Sequence, residues 1–425
     1  MRYVSTRGTA PETSLSEAIE RGLAPDGGLY VPVRFPRADL TRLRGRSDLP
    51  GLATELLRPF FHDDALEPEL ESICADAFNF PVPLRALRRD TAVLELFHGP
   101  TAAFKDFGAR FLAAVLSRIQ PPGADPLTVL VATSGDTGGA VAAAFAGRPG
   151  FEVVVLYPKG MVSERQERQL TCWGGNVRAL RVRGDFDACQ RLVKEAFGNE
   201  ELRARRRLTS ANSISLGRLL PQMVYYAAAS LEYEATVGRP AGFIIPSGNL
   251  GNSTACYWAC ELGLPIREIV LATNENETVM RFARGEPWQP RPTVATLASA
   301  MDVGNPSNME RLVSLFGGEA NARRAMHVRL VADKEVCDAI RRGLSEWGEV
   351  WDPHTATAVI VREELDSPDW VIVSTAHPAK FEGIVEPLVG RAVEIPPALA
   401  ELLDRPKSFA EIDPGLEELE SALGR

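Results

Sequence analysis

Two hydrophobic rhythms alternate along most of this chain. Short apolar runs rich in β-branched residues fall at Ala92–Phe97, Leu127–Thr133, Glu152–Tyr157, Val177–Val182, Gly242–Pro246 and Glu268–Thr273, with a last one at Trp370–Thr375. Runs of that length without a polar face predict strands covered on both sides, the habit of parallel sheets. Between them the apolar spacing widens. Phe111, Leu112, Val115, Leu116 and Ile119 form one stripe of a helix predicted over Phe104–Gln120. Further helices are predicted over Thr137–Ala146, Ser163–Trp173, Phe186–Phe197, Arg218–Glu234 and Ser253–Leu262. This alternation implies an α/β protein with open, mostly parallel twisted sheets flanked by helices. Residues 1–80 read differently, as a small N-terminal unit of short helices around the turn Pro25-Asp26-Gly27-Gly28. Pro81-Val82-Pro83 closes that unit, because neither proline continues a helix.

Composition narrows the function. A chain of 425 residues can divide into two or three domains. A formal charge of -9 and a pI near 5.4 argue against non-specific binding to nucleic acid or anionic membrane, and for a cytoplasmic protein. No apolar run approaches the roughly 18–20 residues of a membrane span. The start, Met1 to Gly8, lacks the apolar core of a signal peptide. The six cysteines form no C-x-x-C pair. Cys256 and Cys260, spaced to share a helix face, read as core residues, and the scattered histidines suggest no metal. The basic cluster Arg203–Arg207 reads as a solvated helix end.

In parallel α/β sheets ligands bind beyond the carboxyl ends of strands, so the segments after each strand carry the chemistry. The segment Glu95-Leu96-Phe97-His98-Gly99-Pro100-Thr101-Ala102-Ala103-Phe104-Lys105-Asp106-Phe107-Gly108 puts Lys105 on the first turn of a helix between two phenylalanines. The helix dipole and an apolar wall both disfavour an ammonium, and a neutral amine is what carbonyl condensation needs. Asp106 acts in the opposite sense, and a surface lysine is the plain alternative. Thr133-Ser134-Gly135-Asp136-Thr137-Gly138-Gly139 is either an anion-binding turn or an ordinary tight turn with a polar cap. Pro246-Ser247-Gly248-Asn249-Leu250-Gly251-Asn252 makes a stronger cradle, suited to a monophosphate at a helix N-terminus. It is not G-x-G-x-x-G, so a dinucleotide fits poorly. Asn212-Ser213-Ile214-Ser215-Leu216-Gly217-Arg218 offers an amide, hydroxyls and a guanidinium to an anion, or merely an N-cap and a surface arginine. Thr375 is a strand-end hydroxyl for a ring nitrogen, or a cap. Lysine, phosphate cradle and strand-end hydroxyl together suggest pyridoxal 5′-phosphate.

These segments resemble the threonine synthases, in the longer branch that carries an N-terminal domain. The resemblance runs from Met1-Arg2-Tyr3-Val4-Ser5-Thr6-Arg7-Gly8 through the Lys105 segment and Ala132 to Gly138. It continues through Gly174-Gly175-Asn176, Gly184-Asp185-Phe186-Asp187, Asn212-Ser213-Ile214 and Pro246-Ser247-Gly248-Asn249 to Thr375-Ala376-His377-Pro378-Ala379-Lys380-Phe381. It implies a fold-type II pyridoxal-phosphate enzyme, like the tryptophan synthase β chain in fold. One lobe, 81–215, would carry the lysine and the Asp136 turn; the other, 216–425, the phosphate loop and the last strand. The implied reaction turns O-phospho-L-homoserine and water into L-threonine and phosphate by γ-elimination and β-addition of water. By position, Lys105 would hold the cofactor covalently and act as base. Gly248, Asn249, Leu250 and Asn252 would line its phosphate, Thr375 would face its ring nitrogen, and Asp136 would lie near its phenolic oxygen. Thr137, Asn212, Ser213 and Arg218 would take the substrate phosphate. The enzyme would be a monomer or a homodimer. The family pattern after Ser-Gly-Asn is usually Phe-Gly-Asp, where this chain has Leu250-Gly251-Asn252; losing an acid there removes a repulsion. The rival readings are a β-eliminating lyase for serine or threonine, a phospholyase that discards phosphate without making threonine, and a non-catalytic binding protein.

Overall fold

The alternation resolves into two sheets that exchange strands. The computed structural model describes residues 1–88, 90–121 and 123–424. In chain order the strands are β1 (Tyr3–Ser5), β2 (Tyr30–Pro32), β3 (Leu84–Ala86), β4 (Thr91–Glu95), β5 (Leu127–Ala132), β6 (Phe151–Pro158) and β7 (Val177–Val182). They continue with β8 (Arg207–Ser210), β9 (Ala241–Pro246), β10 (Ile266–Thr273), β11 (His327–Leu330), β12 (Trp370–Ser374) and β13 (Ala410–Ile412). One sheet has the order β11-β10-β9-β12-β4-β3 and the other β13-β7-β6-β5-β8, while β1 and β2 form a separate antiparallel pair. Every pairing within the two large sheets is parallel except β3 with β4. Thus β4, early in the chain, sits beside the late β12, and β3 lies beyond β4 at the sheet edge. The late β13 extends the sheet made by residues 127–210.

This topology positions the site. Strands β9, β12 and β4 are neighbours, so the segments after their carboxyl ends converge. Two of those segments are stitched together: Leu96 N donates to Ser374 O, Phe104 N to Thr375 O and His377 N to Ala102 O, at 2.8–3.0 Å. Lys105 and Thr375 therefore meet although far apart in the chain.

The N-terminal unit packs on the helix Lys105–Ile119, whose buried face includes Phe107 and Phe111. Phe61 and Phe78 contact Phe111, and Phe78 and Phe80 contact Phe107, with ring centroids 4.6–6.4 Å apart. These rings join the unit to the element that presents the lysine.

Some expectations change. The helix expected over Arg218–Glu234 is split into Leu216–Leu219 and Gln222–Val237, because Pro221 has no N–H to carry the ladder across. The basic cluster is only partly solvated: Arg206 pairs with Glu152 at 2.8 Å and Arg207 donates to Gln120 at 2.7 Å. Strand β11 and the helix Pro353–Glu364 lie in a region for which the apolar pattern gave no element.

Candidate active site

Lys105 is the first residue of its helix, with Phe104 at the N-cap and no side-chain cap. It lines a cavity together with Asp136, Ser213, Arg218, Gly248 to Asn252 and Thr375. Its Nζ lies 4.4 Å from the Phe104 ring centroid. Burial foremost, and then the Arg218 guanidinium, push this amine down to about 8, against a smaller opposing pull from Asp136. Asp106 plays no part as counter-ion. It is buried and turned back to accept from Thr101 N at 2.9 Å and Thr101 Oγ1 at 2.6 Å, closing the turn before the helix.

The 246–252 segment is shaped for an anion. Leu250 sits in the left-handed region at φ 61°, and the helix Gly251–Glu261 begins after it with no side-chain cap. First-turn amides of such a helix have no intrahelical partner. A Cβ on Gly248 would stand 2.6 Å from Met301 Cα, so only glycine lets the loop pass beneath that wall. Asn249 braces the loop: its Nδ2 donates to Ser213 Oγ at 2.5 Å and its Oδ1 accepts from Ser307 N at 2.6 Å. Asn308 Nδ2 donates to Asn249 O at 3.0 Å, and the buried Arg311 donates to Asn308 Oδ1, Ile214 O and Tyr30 O at 2.7–3.2 Å. Asn252 accepts from Tyr225 and Tyr226 through Oδ1, at 2.5 and 2.7 Å, while its buried Nδ2 has no partner among the described residues.

Arg218 lines the same cavity as Lys105. It is buried, donates to Ala211 O at 2.5 Å, and its Nε has no partner among the described residues. Burial brings this guanidinium down to about 10, with Asp106 as a weaker opposing influence. Gly108 makes room for it: a Cβ there would lie 2.7 Å from Arg218 Nε. Asp136 is tied back by Lys380 at 2.9 Å and by Gln166 at 3.1 Å. Burial pushes its carboxyl up, but Lys380 foremost, together with Gln166, outweighs that and holds it below the ordinary range.

The structure brings Lys105, Asp136, Ser213, Arg218, Gly248, Asn249, Leu250, Asn252 and Thr375 around one cavity. Thr137 and Asn212 do not line it. Thr137 occupies the first turn of the helix Asp136–Phe145, and Asn212 contributes its carbonyl to Ser215 N at 3.1 Å. Sequence reasoning missed Gly108, Gln222, Met301 and His354, which also line the cavity. His354 Nε2 accepts from Ala300 N at 3.0 Å, so Nδ1 carries the proton and donates to Asp352 at 2.8 Å. The signal available for it was the helix start Asp352-Pro353 just before.

Comparison with known proteins meets this geometry. Residues 80–376 match the family described as pyridoxal-phosphate dependent enzyme, residues 2–78 the threonine synthase N terminus and residues 355–423 the threonine synthase C-terminal family. A threonine synthase of Serratia marcescens is 40% identical over 423 residues, covering 97% of this chain and 98% of that protein. The chain belongs to the threonine synthase family. A crystal structure of the Escherichia coli threonine synthase superposes with a TM-score of 0.91 at 38% identity, covering 100% of this chain and 99% of that one. A pyridoxal-phosphate-bound threonine synthase from Brucella melitensis gives 0.92 at 34% identity, covering 100% and 98%. An aspartate racemase at 14% identity and a TM-score of 0.56 shares the fold alone.

Pyridoxal 5′-phosphate is accordingly the cofactor of this threonine synthase family member, and the cavity fits it. An amine of lowered basicity shares the cavity with a glycine-floored loop, a bare helix N-terminus and a buried amide donor without a partner among the described residues.

Proposed function

We propose that this enzyme converts O-phospho-L-homoserine and water to L-threonine and phosphate, with the site residues in the following roles. The observation that carries the proposal is a second anion site in the same cavity. Arg218 is buried, lines the same cavity as Lys105 and the 248–252 loop, and has no carboxylate among its hydrogen-bond partners among the described residues. A cofactor phosphate accounts for the loop; a phosphorylated substrate accounts for the arginine.

When bound, pyridoxal phosphate supplies an electron sink that stabilises negative charge at the substrate's α-carbon. Lys105 Nζ is placed to hold the cofactor aldehyde, then, once displaced by the substrate amine, to take the α-proton and later return it. Its lowered basicity leaves a useful neutral fraction near pH 8. Gly248, Asn249, Leu250 and Asn252 bind the cofactor phosphate through backbone and amide donors. Thr375 Oγ1 would serve the ring nitrogen as a neutral partner, and Asp136, steadied by Lys380, would serve the phenolic side. Arg218 and Ser213 hold the substrate phosphate and the phosphate it becomes, while Thr137 and Asn212 act from the turns that carry their neighbours. The acidic composition supports a cytoplasmic enzyme.

Purified holoenzyme supplied with O-phospho-L-homoserine is expected to release phosphate and threonine in equal amounts. Phosphate released with an oxo-acid or homoserine in place of threonine would overturn the proposal and favour a phospholyase or phosphatase.

A further inference from the structure

Asn252 raises a question of proton accounting. Its neighbours Tyr225 and Tyr226 are fully buried, so no solvent water completes their hydrogen bonds. Burial also raises both phenols well above their ordinary range, so each hydroxyl keeps its single proton. Gln222 Nε2 donates to Arg218 O at 2.8 Å, which turns its Oε1 toward Tyr225 Oη at 3.0 Å. Tyr225 thus has one proton and two oxygen neighbours, Gln222 Oε1 and Asn252 Oδ1. Tyr226 has one proton and, among the described residues, one partner, Asn252 Oδ1 at 2.7 Å.

Turning the Asn252 amide over changes this balance. Nδ2 would then donate to both phenolic oxygens, and Tyr225 would give its proton to Gln222. Tyr226 would keep a buried proton with no acceptor, and Oδ1 would face the cavity. An acceptor aimed at a phosphate dianion repels it, whereas Nδ2 offers a charge-assisted hydrogen bond. Tyr225 donates its proton in either orientation, although in the present one it leaves one of its two oxygen contacts unbridged; Tyr226 finds an acceptor among the described residues in the present one alone.

We propose that Tyr226 is a positioning residue that fixes the Asn252 amide with its donor toward the cofactor phosphate, and that Tyr225 is not needed for that orientation. This rests on reading the 248–252 loop as the cofactor-phosphate cradle.

The test compares dissociation constants of apoenzyme variants for pyridoxal 5′-phosphate and for pyridoxal, which lacks the phosphate, by equilibrium dialysis. Tyr226→Phe keeps the ring in its edge-on contact with Phe243, whose centroid lies 5.4 Å away. It is expected to weaken pyridoxal 5′-phosphate about tenfold, the worth of one hydrogen bond to a charged group, and to leave pyridoxal within about twofold. Tyr225→Phe is expected to change neither by more than about threefold. Asn252→Asp, which places an anion against the phosphate, is expected to weaken pyridoxal 5′-phosphate increasingly, relative to the unchanged enzyme, as pH rises above the second phosphate ionisation at about 6. Pyridoxal binding and circular dichroism report folding for every variant. Equal losses of both ligands in Tyr226→Phe, or no loss of either, would overturn the inference. If Asn252→Asp is selective for the phosphate while Tyr226→Phe is not, the tyrosine account alone fails. If neither Asn252→Asp nor Gly248→Val affects the two ligands differently, the cradle reading itself fails.

Discussion

Arg218 helps to set the chemistry of Lys105. The arginine is buried and the lysine half-buried in one cavity, and the guanidinium is one reason the amine is less basic than a free lysine. The sign of the pH effect follows. An amine held at about 8 is mostly neutral above that pH and protonated below it. Apoenzyme should therefore capture pyridoxal 5′-phosphate covalently at a rate that rises with pH and reaches half its plateau near 8, followed by the visible absorption band. Arg218→Met removes a cation and should move that midpoint upward; Lys105→Ala should abolish the band. A midpoint above 10 in the unchanged enzyme would contradict this description of the site. Lys105 was legible in sequence because its helix start and its phenylalanine neighbours are local. Asp106 was not, because its partner Thr101 is chosen by the turn geometry, which leaves nothing of the carboxylate for the lysine.

At the scale of elements, close approaches do the positioning. The helix Lys105–Ile119 admits Arg218 only because residue 108 has no Cβ. Gly108→Ala should push the guanidinium out of line. The expected effect is a rise in KM for O-phospho-L-homoserine of tenfold or so, about 1.4 kcal/mol, with a smaller fall in kcat. Unchanged steady-state constants would show that Arg218 does not hold the substrate phosphate from its observed position. Strands with β-branched runs and helices with a clear stripe were legible in the sequence. The helix Pro353–Glu364 was not: it is buried along most of its length, and Thr355 to Val361 is β-branched or small throughout. A helix covered on all sides shows no 3.6-residue period, and its composition imitates a strand. That helix carries His354, so a cavity residue was lost with it.

At the scale of the molecule, Arg311 connects what the sequence presents as separate. Its guanidinium donates to Tyr30 O in β2, to Ile214 O in the substrate-side turn, and to Asn308, which in turn holds Asn249 of the phosphate loop. The N-terminal unit is thereby wired to both of the proposed anion sites. Arg311→Leu would leave two buried carbonyls without this donor, at about 1–3 kcal/mol each. It should lower the urea midpoint and raise the pyridoxal 5′-phosphate dissociation constant together; a change in the midpoint alone would show that the connection is structural only. The exchange of strands between sheets was not legible in the sequence, because β4 meets β12, and β13 meets β7, across separations that no local pattern records.

The central claim is that one cavity breaks the carbon–oxygen bond to phosphate and returns water's oxygen to the neighbouring carbon. The most direct measurement runs the reaction in water labelled with heavy oxygen and analyses both products by mass spectrometry. The account predicts label in the threonine side-chain hydroxyl and none in phosphate at the moment of release. Label in phosphate, accompanied by homoserine, would mean that the phosphorus–oxygen bond is the one cleaved, and would contradict it.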